Sequence, residues 1–413
     1  MNLVPHGSVT SRRKRRRLAA GFAAMVTLLV ALPASARLIP KGETVFPEAP
    51  SNEFVGLAPL ASRGVVVTWV DVDEEVLRAR ELEADLGERR SFDVADTRGG
   101  APTRIFCPQV ARIGQGRLVF AWAEFNVLEV QYRVAYRVMN EDGTPRSPIR
   151  YVQDQVPRLS EQCPRLSGGD TGFVIAWTLD LHPIFGGLRL RARTFSIRGV
   201  PTSPPIDLAI SEGFTLSPEV VVDRAGGFVA AWVVERDATG EENELVLGRF
   251  GRDGKPIGEP LRVADPVDRS IAFTADAQSG SEVFWATRDA DRIPTLHARR
   301  FDRNLRPISP VRSVFMGNEF ALIPTATVDR KGRTALLVFN GGIVSGLELD
   351  PSLDARRCGA ILRVNDEIPR SSFPVVVSAP GEVVVAGLES SDGLSALKLI
   401  VRRYKLGACG AEP

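Results

Sequence analysis

The sequence predicts an all-β fold, a seven-bladed β-propeller of four-stranded blades, and two observations support this prediction. The stretch 217–232 recurs after steps of 53 residues at 270–285 and at 323–338. A fixed period near fifty residues is typical of repeat architectures, including propellers. Each repeat also contains four short strand-like segments, and no stretch after Ala36 has a comparable helical period. A rival interpretation, two stacked β-sandwiches, does not explain one period along the whole chain.

The first strand of each unit is predicted to begin at or near a proline and to end at a glycine-containing turn. The prolines are Pro108, Pro164, Pro218, Pro324 and Pro374. An aspartate opens several of these turns, at Asp223, Asp276 and Asp329. We expect each carboxylate to accept hydrogen bonds from the backbone just ahead of it, which is a structural role.

The second strands are nearly continuous apolar runs, such as VVVTW, LVFAW, FVIAW and FVAAW. Runs of this kind indicate strands that are buried on both faces. Most end at a tryptophan, and the equivalent positions along the chain are Trp69, Trp122, Trp177, Trp232, Trp285, Val338 and Gly387. Because aromatic side chains bury a large area, we interpret the tryptophans as packing between blades.

The third strands alternate basic and apolar residues, as in 188–195, 245–250, 296–301 and 399–404. A period of two with arginine on one side predicts half-exposed strands. Turns such as Asp142-Gly143 and Asp253-Gly254 then lead to a fourth strand, for example 256–263.

Seven units are predicted within residues 54–413, and they begin near Phe54, Cys107, Cys163, Ser217, Ser270, Ile323 and Phe373. The seventh unit ends without a fourth strand, whereas the segment 37–53 contains a spare candidate strand near Glu43–Phe46. A closed ring must cover its sheet edges. The N-terminal strand is therefore expected to complete the last blade.

The N-terminus resembles a cleavable signal peptide over residues 1–36. A basic run, 12–17, precedes an apolar stretch, 18–32, and the small residues Ala34-Ser35-Ala36 follow. The prediction is an exported chain, secreted or periplasmic, with no stable membrane span after cleavage; an uncleaved anchor is the alternative. Removing 1–36 takes away six of the 52 Lys and Arg residues and leaves 46 against 50 acidic residues, a net charge of −4. This net charge does not predict binding to nucleic acid.

The four cysteines fall at repeat-equivalent positions. Cys107-Pro108 and Cys163-Pro164 are 56 residues apart, and Cys358 and Cys409 are 51 apart. In an oxidising compartment this spacing predicts the disulfides Cys107–Cys163 and Cys358–Cys409, each joining neighbouring repeats. Free buried thiols are the alternative. The sequence contains no C-x-x-C motif and no histidine pair at ligand spacing, so it does not predict a zinc site.

The pattern P-x-V…D-x-x-G-G-F-V-V-A-W…R-x-F-x-x-D-G-x-P resembles the β-propeller repeats of many secreted bacterial proteins, over about residues 54–409. In outline the chain also resembles the sialidase superfamily, whose members carry an S-x-D-x-G-x-T-W turn. Here the turns read VDRAGGFVAAW and GGDTGFVIAW, without the hydroxyl residues of that motif. No residues of this sequence are assigned to the arginine triad or to the Tyr/Glu pair that such an enzyme needs.

Candidate ligand-binding residues lie in loops that follow second strands or join units, and such loops should share one face of the ring. They are Phe125, Asp180, His182, Phe185, Phe214 and Phe320. Exposed together, the aromatic residues would form a sugar- or protein-binding patch. His297 lies in a third-strand run and is interpreted as a sheet residue.

Carboxylates crowd the same class of loop, at Asp71, Asp73, Glu74, Glu75, Glu124, Glu235, Asp237, Asp289 and Asp291. A carboxylate pair is what glycoside hydrolysis requires, although acidic loops also keep proteins soluble. The alternation at Asp71 and Asp73 lacks the glycine of a Ca²⁺ loop, so no metal site is predicted.

These observations predict a non-catalytic binding or scaffold module for a protein or glycan partner, with no cofactor. Two alternatives remain open, a carbohydrate-active hydrolase or lyase with carboxylates at the propeller mouth, and a purely structural envelope protein.

Overall fold

The structure is a computed structural model that describes the chain between residues 39 and 406 with gaps. The described residues are 39–46, 54–71, 74–97, 103–114, 116–153, 160–161, 163–180, 188–211, 216–235, 243–268, 270–276, 280–289, 293–317, 322–329, 331–340, 343–353, 362–363, 375–379, 382–389 and 398–406. All belong to the unit Ala34–Pro413. Within these ranges all the regular secondary structure is β-strand. The described residues contain no apolar helix long enough to span a bilayer. The expected signal peptide and the expected Cys358–Cys409 disulfide lie outside these ranges.

The strands form seven antiparallel sheets, and each sheet is one blade. Blade 1 contains β2 (Val55–Pro59), β3 (Val65–Asp71), β4 (Val76–Leu82) and β5 (Glu88–Asp96). Blade 2 contains β6 (Thr103–Ile113), β7 (Arg117–Asn126), β8 (Gln131–Asn140) and β9 (Arg150–Tyr151). Blade 3 contains β10 (Ser160–Glu161), β11 (Arg165–Gly168), β12 (Gly172–Asp180), β13 (Leu188–Ser196) and β14 (Ile206–Ser211). Both β10 and β11 pair with β12, so together they occupy the place of one first strand.

The remaining blades follow the same order. Blade 4 contains β15 (Leu216–Val222), β16 (Phe228–Val234), β17 (Glu244–Phe250) and β18 (Leu261–Ala264). Blade 5 contains β19 (Ile271–Asp276), β20 (Gly280–Arg288), β21 (Pro294–Phe301) and β22 (Arg312–Met316). Blade 6 contains β23 (Leu322–Val328), β24 (Thr334–Asn340), β25 (Ile343–Leu349) and β26 (Leu362–Arg363). Blade 7 contains β27 (Val375–Ala379), β28 (Glu382–Glu389), β29 (Lys398–Lys405) and β1 (Ile39–Phe46).

The blades form a closed ring. Each first strand contacts the first strand of the next blade, and β27 of blade 7 contacts β2 of blade 1. Seven clusters of buried apolar side chains fill the seven interfaces between neighbouring blades. The predicted fold class, an all-β seven-bladed propeller of four-stranded blades, is therefore confirmed.

The N-terminal strand β1 occupies the fourth place in blade 7. It pairs antiparallel with β29, and Glu43 faces Arg402 in the register and forms an ion pair with it. On its other side it contacts blade 1, where Phe46 stacks on Trp69 with ring centroids 6.2 Å apart. The hydroxyl of Thr44 also donates to a carbonyl of blade 1. The spare N-terminal strand thus lies where blade 7 meets blade 1.

The recurring tryptophans lie at the blade interfaces. Each belongs to the apolar cluster that its blade shares with the preceding blade. Their exposed fractions are 3% or less at Trp69, Trp122, Trp177, Trp232 and Trp285. Val338 takes the same position in blade 6. The packing interpretation of this series is confirmed.

The proline positions of blades 2, 3 and 4 are β-bulges. The pairing with the second strand shifts at Cys107-Pro108 in blade 2 and at Ser217-Pro218 in blade 4, and in blade 3 the break between β10 and β11 contains Cys163-Pro164. Proline has no N–H to give to the ladder and is found at such irregularities. In blade 6, Pro324 pairs regularly with Val338.

In blades 2 and 3, an arginine of the third strand bonds both the segment ahead of its own fourth strand and the preceding blade. Arg193 donates from Nε to the carbonyl of Ser203 in its own blade and from Nη1 to the carbonyl of Val152 in blade 2. Arg137 makes the equivalent bonds to Ser147 and to Val94 of blade 1. The two arginines therefore connect consecutive blades.

The serines of these contacts also bond the third strand, because each hydroxyl accepts from the backbone N–H that follows the arginine. Blade 5 repeats the contact within one blade, from Arg299 to Ser309. Blade 4 has glycine at both positions, Gly248 and Gly258. A Cβ on Gly248 would lie 2.8 Å from the Trp232 ring, which fills that space.

The turn aspartates act as expected where their side chains are described. Asp223 accepts a hydrogen bond from the N–H of Gly227 at 2.9 Å. Asp329 accepts from the N–H groups of Lys331 and Arg333 and also pairs with the Arg333 guanidinium.

One expected boundary was wrong: the fourth strand of blade 4 begins at Leu261, because Pro256 makes only an isolated bridge to Phe250.

Candidate functional site

The upper rim of the ring is formed by the ends of the second strands and the starts of the third strands. Among the described residues, the pairing of first and second strands extends furthest beyond the tryptophan position in blades 2 and 3. The pairing of β6 with β7 continues four residues beyond Trp122, to Asn126, and the pairing of β10 with β12 reaches Asp180, three residues beyond Trp177. In blade 1, by comparison, the pairing begins at Trp69 itself.

A disulfide joins these two blades below this rim. Cys107 in the bulge of β6 is bonded to Cys163 in the break of blade 3, with the Cα atoms 5.4 Å apart. This pair is the one that the repeat spacing predicted. Because both cysteines lie at the bulges below the extended segments, the bond fixes the two segments relative to each other.

Three aromatic rings cluster on the side of blade 2 that faces blade 3. The centroids of Phe125 and Tyr132, which face each other across β7 and β8, are 4.6 Å apart, and Phe106 lies 6.2 Å from Tyr132. All three are half-buried. The expectation that Phe125 is a loop residue was wrong, because β7 continues through it to Asn126.

The turn between β7 and β8, residues 127–130, exposes aliphatic side chains at the upper rim of blade 2. The exposed fractions are 40% for Val127, 73% for Leu128 and 72% for Val130. Val130 also has φ of +51°, a conformation in which a β-branched residue is strained. Backbone strain of this kind is concentrated at functional sites in proteins, which makes the turn a candidate site.

Polar contacts hold this turn in one conformation. The side-chain oxygen of Asn126 accepts hydrogen bonds from the N–H groups of Leu128 and Glu129, at 2.9 and 3.1 Å. The carboxylate of Glu129 pairs with Arg133 at 2.7 Å. The Arg133 guanidinium in turn lies over the ring of Tyr151, 5.8 Å from its centroid. We call the turn with these supports the blade 2 tip.

A buried carboxylate lies directly beneath the tip. Glu124 is 8% exposed and accepts hydrogen bonds from Nε1 of Trp122 at 2.8 Å and from the hydroxyl of Tyr151 at 3.0 Å. Burial raises the pKa of Glu124, although these hydrogen bonds and the nearby Arg133 oppose the increase. Burial and the Glu124 charge raise the pKa of Tyr151 to about 12, so the phenol keeps its proton at neutral pH.

The other predicted ligand residues have different outcomes. Asp180 is the last residue of β12, on the upper rim of blade 3, next to blade 2 because β10 contacts β8. His182, Phe185, Phe214 and Phe320 lie outside the described residues, so the grouping of the six positions stays a prediction. Sequence reasoning missed Tyr132, Tyr151 and the aliphatic turn. The signal that was available is the run Val127-Leu128 between two strands, where a polar turn is usual.

Some of the carboxylates that the sequence placed in loops make structural contacts, whereas Asp73, Asp237 and Asp291 lie outside the described residues. Asp71, at the end of β3, is 4% exposed and pairs with Arg78 at 3.1 Å. Asp289 accepts a hydrogen bond from the N–H of Ile293. Within the described ranges no three His, Cys, Asp or Glu side chains form a metal-binding group. His297 lies in β21 as expected, within 2.8 Å of the Thr287 hydroxyl, and burial lowers its pKa.

A cavity of about 1,000 Å³ opens at the lower face, at the turns between first and second strands of blades 3 to 6. Its charged lining includes Asp223 and Arg249, which pair at 3.4 Å, and Asp329. Both aspartates hold the backbone of their own turns. These three charged side chains are therefore engaged in the fold.

Comparison with known proteins identifies the architecture and no family. No protein-family model and no curated protein matches the chain. Among solved structures it is similar to the polysaccharide lyase Uly1, with 9% identity, a TM-score of 0.54, and coverage of 87% of this chain and 90% of that one. At this identity the likeness shows the fold alone.

Two further solved structures share the outline. A puromycin hydrolase is 12% identical with a TM-score of 0.49 and coverage of 91% of this chain and 57% of that one. A Trypanosoma rangeli sialidase is 8% identical with a TM-score of 0.46 and coverage of 88% and 60%. This chain thus spans less than two thirds of the length of either.

Proposed function

We propose that the chain is an exported, non-catalytic binding module that holds a protein or glycan partner at the blade 2 tip. The observation that carries this proposal is the preorganised apolar turn, in which Leu128 and Val130 remain more than 70% exposed. A rigid apolar surface loses little conformational entropy when a partner covers it. Exposed aliphatic residues of this kind are typical of interaction sites.

The supports of the tip favour recognition of an uncharged surface. Glu129 pairs with Arg133, so the charge closest to the turn is compensated. Below it, Glu124 holds Tyr151 and Trp122 in place. A partner therefore meets aliphatic side chains on a fixed backbone.

The test is a binding screen of the purified protein against glycans and envelope proteins, followed by variants of the tip. The double variant Leu128→Ser/Val130→Ser should weaken a ligand found in the screen at least about tenfold, because each buried aliphatic side chain contributes roughly 1.5 kcal/mol or more. Ile308→Ser is the matched control, since Ile308 is 57% exposed on a turn between a third and a fourth strand. Equal affinity of the tip variant and the control would contradict the proposal, as would a screen without any ligand.

A second candidate function is a carbohydrate-active hydrolase or lyase. The specific observation in its favour is Glu124, a carboxyl group with a raised pKa beside a tyrosine hydroxyl. A carboxyl group of raised pKa is what a general acid requires. Release of reducing ends or unsaturated ends from a polysaccharide panel, abolished by Glu124→Gln, would support the enzyme. Full activity of Glu124→Gln would exclude Glu124 from catalysis.

A further inference from the structure

A second polar position lies at the upper rim, between blades 4 and 5. The last paired residues of β16 and β17 are Val234 and Glu244. One step further along the same register, Glu235 lies across from Asn243. Both side chains are buried, with exposed fractions of 8% and 1%.

Strand alternation directs both residues towards blade 5. Successive side chains of a strand point to opposite faces. Val233 and Leu245, two positions away on each strand, belong to the apolar cluster shared with blade 5. Glu235 and Asn243 therefore lie on the same side, above that cluster. The backbone N–H of Val267, which is also part of the cluster, donates to the Asn243 carbonyl at 3.0 Å.

The side-chain amide of Asn243 has no hydrogen-bond partner within the described part of the chain, at either Oδ1 or Nδ2. Leaving a buried polar group unsatisfied costs about 1–3 kcal/mol, so native structures provide a partner for nearly all of them. A group orphaned in this way commonly marks a bound water or ion.

Blade 2 shows that packing alone does not require polar residues here. The equivalent position, three residues beyond the tryptophan, is occupied by Phe125 and Tyr132, whose rings contact each other with centroids 4.6 Å apart. Blade 4 instead places a carboxylate and an amide in the same setting.

We propose that Glu235 and Asn243 form a binding site for a hard divalent cation, Ca²⁺ in the first place. Carboxylate and amide oxygens are the ligands that Ca²⁺ takes, and water molecules complete its coordination where protein ligands are few. Sites with few protein ligands bind Ca²⁺ weakly, in the range of roughly 10⁻⁴–10⁻³ M that is typical of extracellular modules. This site is separate from the blade 2 tip and does not depend on the proposed binding function.

The experiment measures thermal unfolding of the chelator-treated protein with and without millimolar CaCl₂. Ca²⁺ should raise the Tm by about 2 °C, because a ligand that binds only the folded state stabilises it. Tb³⁺, used as a second probe, should give luminescence excited through tryptophan, since Trp285 lies in the cluster below the site. Excess Ca²⁺ should compete this luminescence away.

Two variants and one control test whether the Ca²⁺ response arises at Asn243. Asn243→Leu should remove both the Tm shift and the luminescence, whereas Asn243→Asp should strengthen Ca²⁺ binding by adding a carboxylate. Glu244→Gln is the matched control, because Glu244 is the neighbouring residue, faces the other side of the blade and pairs with Arg262. Absence of a Ca²⁺ response in the wild type would overturn the proposal and assign the buried amide to water. An unchanged response in Asn243→Leu would overturn it equally.

Discussion

The hydroxyl of Tyr151 donates a 3.0 Å hydrogen bond to the carboxylate of Glu124, 27 residues earlier in the chain. This contact joins the fourth strand of blade 2 to its second strand, immediately below the exposed tip. Trp122, Glu124 and Tyr151 therefore form a polar connection from the core to the rim. The raised pKa values at both ends of the contact have the same physical cause, which is burial.

The difference in the free energy of unfolding between the wild type and the Glu124→Gln variant should depend on pH, because the pKa of Glu124 is raised in the folded protein. In the folded protein burial raises the pKa of Glu124 above its ordinary value of 4.5, so the folded state binds the proton more tightly than the unfolded chain. The contribution of Glu124 to stability is therefore largest below pH 4.5 and is lost as the pH rises through its folded pKa.

The measurement is the free energy of unfolding in denaturant from below pH 4.5 to neutrality. The value for wild type minus the value for Glu124→Gln should decrease across this interval. Glu129→Gln, an exposed carboxylate of the same hairpin, serves as the control and should show no such decrease. A difference that is constant or increases with pH would contradict the assignment.

Replacing Arg193 by methionine should destabilise the ring. The guanidinium is 8% exposed and bonds the carbonyls of Ser203 and Val152, in two different blades. Hydrogen bonds to charged groups contribute about 1.5–3 kcal/mol each, so Arg193→Met should lower the free energy of unfolding by roughly 3 kcal/mol. Arg198→Met, at an exposed turn of the same blade, should change it by less than about 0.5 kcal/mol. Equal effects of the two variants would refute the role of Arg193.

The Cys107–Cys163 bond should be a major contributor to stability. It closes a loop of 56 residues. Loss of the constraint on the unfolded chain should cost about 4 kcal/mol in the chain-entropy account. The double variant Cys107→Ala/Cys163→Ala should therefore unfold at lower denaturant concentration, and a reductant should destabilise the wild type more than this variant. A transition that matches the oxidised wild type would show that the bond adds nothing.

Much of the fold could be predicted from the sequence because each blade repeats the same local requirements. Buried second strands need continuous apolar runs, and the interfaces need large side chains such as Trp122 and Trp177. The first disulfide followed from the same register. The arginine–serine contacts could also have been recognised, because Arg137–Ser147, Arg193–Ser203 and Arg299–Ser309 share one spacing of ten residues.

The candidate site was less accessible to sequence reasoning, because its contacts depend on strand register and on where strands end. Tyr151 belongs to a strand of only two residues, and its position opposite Ala135 places it beside Glu124. Glu124 and Phe125 were assigned to a loop because β7 extends beyond the usual tryptophan boundary. The unusual length of blade 2, which creates the exposed tip, has no counterpart in the repeat pattern.

Closure of the ring by the N-terminal strand is the central claim about the fold, because β1 pairs with blade 7 and contacts blade 1. Amide hydrogen exchange of the segment 39–46 tests it most directly. Because β1 is the edge strand of blade 7, only those of its amides that donate to β29 should be protected, and they should exchange far more slowly than the amides of an unpaired chain. Exchange of this segment within the dead time of the measurement, with Lys398–Lys405 protected, would contradict the closed ring.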